Sequence, residues 1–209
     1  RNESPNVVTM VNTIKPYGRW EKICGKGRIL PAFPGAGGCI EGGILDAQLL
    51  PRAIQPTTFG EIGGRKSSRE EALAYIFRKS HIPYQIVPEM HHWQISHLGV
   101  IIPLADAYYQ SRHPEKICAN EKLMTLTAYR MKKNLKWIAQ KGMLCPAKLY
   151  MIKDMPTGML AGVLSRVYQS EFGNRFLYRH AMHAPEEFQR LHQEFYNYMK
   201  THTKESNKA

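Results

Sequence analysis

The pattern of apolar residues changes near residue 88, and this change constrains the fold more than any other feature of the sequence. Before it, short segments rich in β-branched residues alternate with two helical patterns. After it, apolar residues recur at the three- and four-residue spacing of long amphipathic helices. The sequence therefore predicts an α/β domain over residues 1–88, followed by an all-helical domain over residues 89–209.

The α/β part is predicted to begin with a strand, a short helix and a second strand. Residues 6–12 form an apolar run that predicts a buried strand, residues 17–24 predict the helix, and residues 28–32 the next strand. Such a unit normally builds a parallel sheet. Residues 38–64 predict two or three short strands with turns, and residues 84–88 predict a last strand.

Two serines open the longer helical pattern of this part. Ser67 and Ser68 are each followed three residues later by a glutamate, Glu70 and Glu71, and this spacing permits a capping box. The helix is therefore predicted to begin at these serines. The apolar face expected behind the cap comprises Ala72, Leu73, Ile76 and Phe77.

Four long helical patterns make up the second part. They cover residues 90–111, 119–142 and 157–178, and a last segment that begins near Pro185. Pro103 interrupts the first pattern and is expected to kink it, because proline lacks a backbone donor. The apolar residues expected to face inward in the second and fourth patterns are Leu123, Leu126, Leu135, Ile138, Phe188, Leu191, Phe195 and Met199.

The glycine cluster FPGAGG, residues 33–38, follows the second predicted strand. Glycine lets a backbone approach another group closely, and the carboxyl edge of an α/β sheet is where ligands bind. The cluster therefore suits a ligand-binding loop at that edge. Short glycine clusters are also common as plain turns, and this alternative stays open.

A net charge of +12 would attract nucleic acid, an anionic membrane surface or a phosphorylated small molecule. The basic residues are dispersed, and the densest run, residues 129–141, has the pattern of a solvated helix face, which argues against a nucleic-acid interface. The four cysteines lack motif spacing, and no apolar run has membrane-spanning length. We expect a reduced, cytoplasmic protein without a membrane partner.

The histidines do not predict a metal site. His91 and His92 are adjacent and so project in different directions from a helix. His180 and His183 could share a face with His192 further on, but no cysteine near them completes a zinc set. The sequence also lacks a GxSxG elbow and a Walker loop, which argues against common hydrolase and NTPase functions.

Five segments resemble the ketopantoate reductase (2-dehydropantoate 2-reductase) family over nearly the whole chain. They are "MVNT", "FPGAGG", "IEGGILDAQLLPRAIQPTTFGEIGG", "SSREEALAYIFRKSHIPYQIVPEMHHW" and "HLGVIIPLADAYY". The resemblance implies a Rossmann-type domain followed by a helical domain for substrate binding and dimerisation, and it leaves a homodimer open. It implies hydride transfer from NADPH to a small 2-oxo acid or related carbonyl compound in the interdomain cleft, with NADH open as an alternative donor.

The first departures from the family concern the cofactor. The family begins with a strand and a GxGxxG loop that binds the cofactor pyrophosphate, and this motif does not occur here. The expectation is that about the first third of the Rossmann domain is absent. The family's Gln-Asn-Gly-x-Gly loop aligns with FPGAGG, so Gly35 and Gly37 are implied to bind the cofactor. Pro34 replaces the asparagine and cannot make its hydrogen bonds.

The next departure concerns the proton donor. In the family, a lysine two residues after a tryptophan polarises the keto oxygen and supplies the proton. Trp93 matches that tryptophan and is implied to contact the substrate, but Ile95 occupies the lysine position and cannot donate a proton. His97 is then the candidate acid, because the pKa of a histidine is naturally near neutral. A histidine with a purely structural hydrogen bond is the alternative.

A third segment, "LSRVYQSEF", resembles the family helix that carries Thr-Glu-Ile. Glu171 matches the glutamate that faces the substrate, Ser170 replaces the threonine, and Thr157 lies near a hydroxyl residue that binds the substrate carboxylate. An ordinary exposed glutamate is the alternative for Glu171. The lost lysine and asparagine imply a substrate other than ketopantoate. They also support a second hypothesis, a catalytically silent protein that keeps the fold as a binding or dimerisation module.

Overall fold

The computed structural model describes residues 4–206. The chain divides into two compact units, Arg1–Trp93 and Gln94–Ala209. The first unit contains all the strands of the described chain, and the second is helical. The predicted change of character after residue 88 falls just before the helix that runs across this boundary, Met90–Gln110. No helix between residues 4 and 206 is long and apolar enough to cross a lipid bilayer.

The first unit alternates strands with two helices. Its elements are β1 Val7–Met10, α1 Gly18–Cys24, β2 Ile29–Phe33, β3 Ala36–Glu41, β4 Ile44–Leu49, β5 Thr57–Phe59, α2 Ser68–Lys79 and β6 Tyr84–Ile86.

The second unit continues with helices of several kinds. Its elements are α3 Met90–Gln110, a 3₁₀ helix Pro114–Ala119, α4 Glu121–Gln140, α5 Lys148–Asp154, α6 Thr157–Gln169, a π-helical turn Gly173–Tyr178, α7 Arg179–His183 and α8 Pro185–Ser206.

Four strands form the main sheet in the order β1-β2-β5-β6. The parallel pairing predicted for the first strand–helix–strand unit is confirmed, with Met10 opposite Ala32. β5 pairs with β2 in the antiparallel sense and with β6 in the parallel sense. The sheet packs against α2 through a cluster that includes Ala32, Phe59 and Phe77.

The first strand is not buried as the apolar run in its sequence predicted. β1 is an outer strand of the sheet, and Val8 and Met10 on one of its faces are exposed. An apolar run shows that a strand can be buried on both faces, but whether it is covered depends on segments distant in sequence.

The capping box of α2 is confirmed for the first of the two serines. Ser67 Oγ accepts from the Glu70 backbone N–H at 3.2 Å, and the Ser67 N–H donates to the Glu70 carboxylate at 3.3 Å. Ser68 is the first residue of the helix instead. The buried face differs from the prediction, because Ala74 and Phe77 are buried whereas Ala72 and Ile76 are exposed.

The glycine cluster belongs to a hairpin rather than to a loop. β3 and β4 pair in antiparallel register from Ala36–Leu49 to Glu41–Ile44. Gly42 and Gly43 join the strands with φ values of +57° and +81°, the left-handed pair that a tight two-residue hairpin turn requires. The loop predicted over residues 33–38 therefore shrinks to the link between Phe33 and Ala36.

The helical unit departs from its predicted outlines at two points, neither of them in α3. α3 continues as one helix through Pro103, and the kink expected there stays a prediction. The pattern over residues 157–178 is split, because α6 ends at Gln169 and Ser170 Oγ accepts from the Gly173 N–H at 3.0 Å. Leu126, expected to face inward, is exposed.

Candidate functional site

The best-placed region for a ligand in the first unit is the carboxyl edge of β1 and β2. Because the two strands are parallel, both end at the same edge of the sheet. Residues 11–17 follow β1 there, and Pro34 and Gly35 follow β2. Open α/β sheets bind ligands outside the carboxyl ends of their strands. This edge, with the residues that line it, is the candidate site.

Two polar residues lie in the segment after β1, behind Val11. Asn12 is half-buried and Thr13 is buried. Thr13 Oγ1 accepts from the Lys15 backbone N–H at 3.1 Å and from the Arg19 guanidinium at 3.5 Å. Neither residue was predicted from the sequence as a site residue, although polar side chains after an apolar run are a signal for the ligand-binding end of a strand.

A hydrogen bond connects the loop after β1 to the start of α3. A ring nitrogen of His91, Nε2, lies 2.9 Å from the carbonyl oxygen of Ile14, so this nitrogen carries the proton and donates. The ring of Tyr17 meets the His91 ring edge-on at 6.0 Å. Burial, with a smaller contribution from the Glu89 carboxylate, raises the pKa of Tyr17, so its hydroxyl stays protonated.

An aromatic pair lines the same edge. The rings of Phe33, the last residue of β2, and Trp93, near the start of α3, are 5.4 Å apart. Trp93 is buried, whereas Phe33 is half-buried. Trp93 therefore packs against Phe33, and its predicted direct contact with a substrate stays a prediction.

Gly35 is close to the chain's own backbone. Its N–H donates to Thr57 Oγ1 at 3.0 Å. A Cβ at this position would lie 2.2 Å from the backbone nitrogen of Thr57 and 2.4 Å from the carbonyl carbon of Pro56. Glycine is thus required for packing, and the Gly35 amide already has a partner within the chain. The predicted contact of Gly35 with the cofactor stays a prediction. Gly37 lies in β3 opposite Gln48, and its cofactor contact stays a prediction.

Ile95, which the resemblance aligns with a lysine, occupies a core position. Ile95 has 0% of its surface exposed. His97, the predicted acid, is half-buried, and burial lowers its pKa to about 3, with nearby His180 adding a smaller repulsion. The expected near-neutral pKa is therefore wrong. The imidazole is neutral at pH 7 and holds no extra proton to donate.

Thr157 and Glu171 lie at opposite ends of α6. Thr157 is its first residue, and Glu171 follows its end and is exposed. A helix of this length extends on the order of 20 Å, so one small 2-oxo acid cannot contact both side chains. Thr157 Oγ1 is 3.3 Å from the Lys132 ammonium, which also donates to the Met155 carbonyl oxygen.

Asp106 of α3 and His192 of α8 form an acid–base pair that was not predicted from the sequence. His192 Nδ1 lies 3.0 and 2.9 Å from the two carboxylate oxygens of Asp106. Burial raises the pKa of Asp106, while His192 opposes the shift. The carboxylate fixes the ring so that Nε2 points away from it. Because the two residues are 86 positions apart, no local sequence pattern indicated that they meet.

Residues 4–206 contain no group of three metal-ligating side chains.

Comparison with known proteins gives one distant likeness. No protein-family model and no curated protein matches the chain. The crystal structure of 2-dehydropantoate 2-reductase from Porphyromonas gingivalis is similar to this chain, with 13% sequence identity and a TM-score of 0.44. The match covers 84% of this chain and 61% of that reductase. The chain thus spans less than two thirds of the length of the reductase, and a likeness this distant assigns neither reaction nor substrate.

Proposed function

We propose that this protein is a ketopantoate-reductase-like oxidoreductase that transfers a hydride from NADPH to a small 2-oxo acid or a related carbonyl compound. The observation that carries the proposal is the carboxyl edge of β1 and β2. Polar residues Asn12 and Thr13 follow one strand there, and the Phe33–Trp93 pair stands at the end of the other. Segments that resemble the ketopantoate reductase family contribute to both sides of this edge.

The edge suits one end of the cofactor better than the other. NADPH would supply the hydride from its nicotinamide ring. A half-buried aromatic wall formed by Phe33 suits a planar ring, and the amide of Asn12 suits hydrogen bonding to a carboxamide. The pyrophosphate end lacks support, because the sequence has no GxGxxG loop and the Gly35 amide is bonded to Thr57. NADH remains the alternative donor.

His97 is proposed to stabilise the oxygen of the carbonyl group as a neutral imidazole. The proposal for His97 rests on the resemblance, since His97 lies two residues after Ile95, the position of the lysine in that family. With a pKa of about 3, His97 cannot give up an imidazolium proton at pH 7. A neutral N–H still donates a hydrogen bond to a developing alkoxide, as in enzymes that keep such a histidine uncharged. Water then supplies the proton.

The substrate is proposed to be an acid other than ketopantoate. The lysine that the family uses is replaced by buried Ile95, so no ammonium group is available at that position. Of the two residues at the ends of α6, Thr157 is the better candidate to bind a carboxylate, since the Lys132 ammonium lies beside its hydroxyl. The exposed carboxylate of Glu171 would repel an acidic substrate.

The second candidate function is a catalytically silent binding or dimerisation module. The observation that favours it is the complete burial of Ile95, because a proton-donor position has become part of the core. This candidate predicts that the protein neither binds NADPH nor turns over carbonyl compounds.

An assay of NADPH oxidation against a panel of 2-oxo acids and simple ketones tests the leading proposal, with the full protein that the gene encodes. We expect turnover, a loss in kcat of about tenfold or more for His97→Ala with little change in KM, and weaker NADPH binding for Asn12→Ala. Asn197→Ala, on the exposed side of α8, is the matched control and should leave both unchanged. Saturation with NADPH without turnover of any compound would overturn the proposal.

A further inference from the structure

A positively charged side chain lies beside the polar residues of the carboxyl edge. Arg19 is the second residue of α1, the helix that follows the segment after β1. A guanidinium nitrogen of Arg19 lies 3.5 Å from Thr13 Oγ1, and Thr13 belongs to the segment that leaves β1 at this edge. Arg19 is exposed, whereas Thr13 is buried. The charge of Arg19 is therefore accessible to a ligand that lies at the edge.

An aromatic ring holds this guanidinium in position. The Arg19 guanidinium carbon lies 5.0 Å from the centroid of the Trp20 ring, which is within the range of a cation–π interaction. Trp20 in turn stacks on the buried ring of Tyr17, with the two centroids 5.9 Å apart. A guanidinium that stacks on a ring keeps N–H donors free at its rim. Its binding geometry is partly set before a ligand arrives, which lowers the entropic cost of binding.

No carboxylate pairs with Arg19 in the part of the chain that the structure describes. The acid nearest to it in sequence, Glu21, accepts from the Gly27 backbone N–H at 2.9 Å, beyond the far end of α1. The Glu89 carboxylate accepts from a backbone N–H of α3 at 3.4 Å. Lys15, exposed in the same segment as Thr13, adds a second positive charge near the edge. The edge therefore carries an excess of positive charge that suits an anion.

A phosphate group is the anion that this arrangement fits best. An arginine presents N–H donors in a planar fork that matches two phosphate oxygens. Under the proposed function, Asn12 bonds to the carboxamide of the nicotinamide, and Asn12 directly precedes Thr13, the neighbour of Arg19. In a nicotinamide cofactor the pyrophosphate is one ribose away from the nicotinamide ring. A cofactor bound in this way brings its pyrophosphate near the guanidinium, at an edge where the Gly35 amide is already bonded.

We propose that Arg19, positioned by Trp20 beside Thr13, binds a phosphate group at the carboxyl edge, namely the pyrophosphate of the nicotinamide cofactor. The identity of this ligand rests on the proposed function, which brings NADPH to the same edge. A side chain would thereby supply phosphate contacts in a sequence that has no GxGxxG loop. Arg19 was not predicted from the sequence as a site residue, because a single arginine in a helix belongs to no motif.

Calorimetric titration of the full protein with NADPH, and separately with inorganic pyrophosphate, tests the proposal. Wild type, Arg19→Gln and Lys26→Gln are compared. Lys26 is the matched control, because it is exposed, its substitution removes the same charge, and it lies in the turn before β2, at the opposite edge of the sheet. We expect Arg19→Gln to weaken the binding of both ligands by about tenfold or more, and Lys26→Gln by about twofold at most.

A second substitution separates the planar fork from the charge. Arg19→Lys keeps the positive charge but loses the paired donors and the planar group that stacks on Trp20, so its affinity should lie between those of wild type and Arg19→Gln. Circular dichroism verifies that each variant folds, which is expected because Arg19 is exposed.

Two results would overturn the phosphate site. One is an Arg19→Gln variant that binds NADPH as tightly as wild type, and a raised KM for the 2-oxo acid in that variant would then assign the guanidinium to the substrate carboxylate. The other is equal weakening by the substitutions at positions 19 and 26, which would show only the general effect of net charge on an anion.

The two ligands distinguish a failure of this site from a failure of the proposed function. Binding of pyrophosphate that depends on Arg19, in a protein that does not bind NADPH, would support the phosphate site and contradict the proposed function. Turnover with NADPH that Arg19→Gln leaves unchanged would do the reverse. A protein that binds neither ligand would contradict both.

Discussion

The backbone N–H of Gly35 donates a hydrogen bond to the hydroxyl of Thr57 across 3.0 Å. This bond joins the link between β2 and β3 to the start of β5, and the space where a side chain would stand is filled by the backbone of Pro56 and Thr57. Gly35 belongs to a glycine cluster that suits a ligand-binding loop, but in the structure it serves packing within the chain.

Gly35→Ala is expected to destabilise the protein by about 2–4 kcal/mol, because the added Cβ must displace backbone that cannot rotate away. Chemical denaturation measures the loss. Gly162→Ala is the matched control, since nothing lies within 4 Å of a Cβ there in α6, and we expect it to stabilise by about 0.5–1 kcal/mol. Equal effects of the two substitutions would contradict the packing role of Gly35.

Ile95→Lys places a lysine where the ketopantoate reductases that the sequence resembles carry one, and it is expected to destabilise the protein by about 3–5 kcal/mol without creating a reductase. The reason is that the charged form of lysine is strongly disfavoured at a fully buried position. Ile95→Met keeps the volume and should cost less than about 1.5 kcal/mol. Thermal unfolding compares the two variants, and a lysine variant as stable as wild type would show that the position reaches solvent.

Stability is expected to fall as pH decreases from about 6.5 toward 3, partly because of His97. Its pKa is about 3 in the folded chain and near 6.5 when unfolded, so only the unfolded state binds the proton in this range. The stability that neutral His97 contributes is present above pH 6.5 and is lost on acidification. His180, whose pKa burial also lowers, acts in the same direction.

Unfolding free energies at several pH values measure this dependence. His97→Gln should remove on the order of 3 kcal/mol of the loss between pH 7 and pH 4. His113→Gln is the comparison variant, because it removes an imidazole that is mostly exposed. A His97→Gln variant with the wild-type slope would mean that the ring is protonated in the folded protein.

The Asp106–His192 pair is expected to behave as a coupled unit. His192→Ala leaves a largely buried carboxylate without its donor and should cost about 1–2 kcal/mol, a figure that allows for the partial exposure of His192. Burial raises the pKa of Asp106 in the folded chain, so its ionised form is disfavoured there. The penalty should therefore be larger at pH 7 than at pH 4.

A double-mutant cycle measures the coupling of this pair. Asp106→Asn removes the charge and should recover most of the stability lost in His192→Ala. Additive effects of the two substitutions would show that the contact contributes nothing to stability.

Sequence patterns that span only a few residues predicted several features of the first unit correctly. The Ser67–Glu70 capping box and the parallel pairing of β1 with β2 followed from spacing over a few residues. The burial of β1 and the inward position of Leu126 did not follow, because burial depends on which distant segments cover a face. Periodicity indicates which residues can be covered, not whether they are.

The candidate site was less predictable, and for a physical reason. Gly35 was assigned to a ligand because nothing in its neighbouring sequence reveals that Thr57 fills the space beside it. The pKa of His97 depends on desolvation by residues far along the chain. Asp106 and His192 meet only in the folded helical unit. Such relationships are tertiary, and no local pattern encodes them.

Calorimetric titration of the full protein with NADPH, and separately with NADH, tests the central claim most directly. We expect saturable binding of NADPH that Asn12→Ala weakens and Asn197→Ala does not. If neither nicotinamide cofactor binds, the oxidoreductase proposal is contradicted, and the silent binding module becomes the better description of this protein.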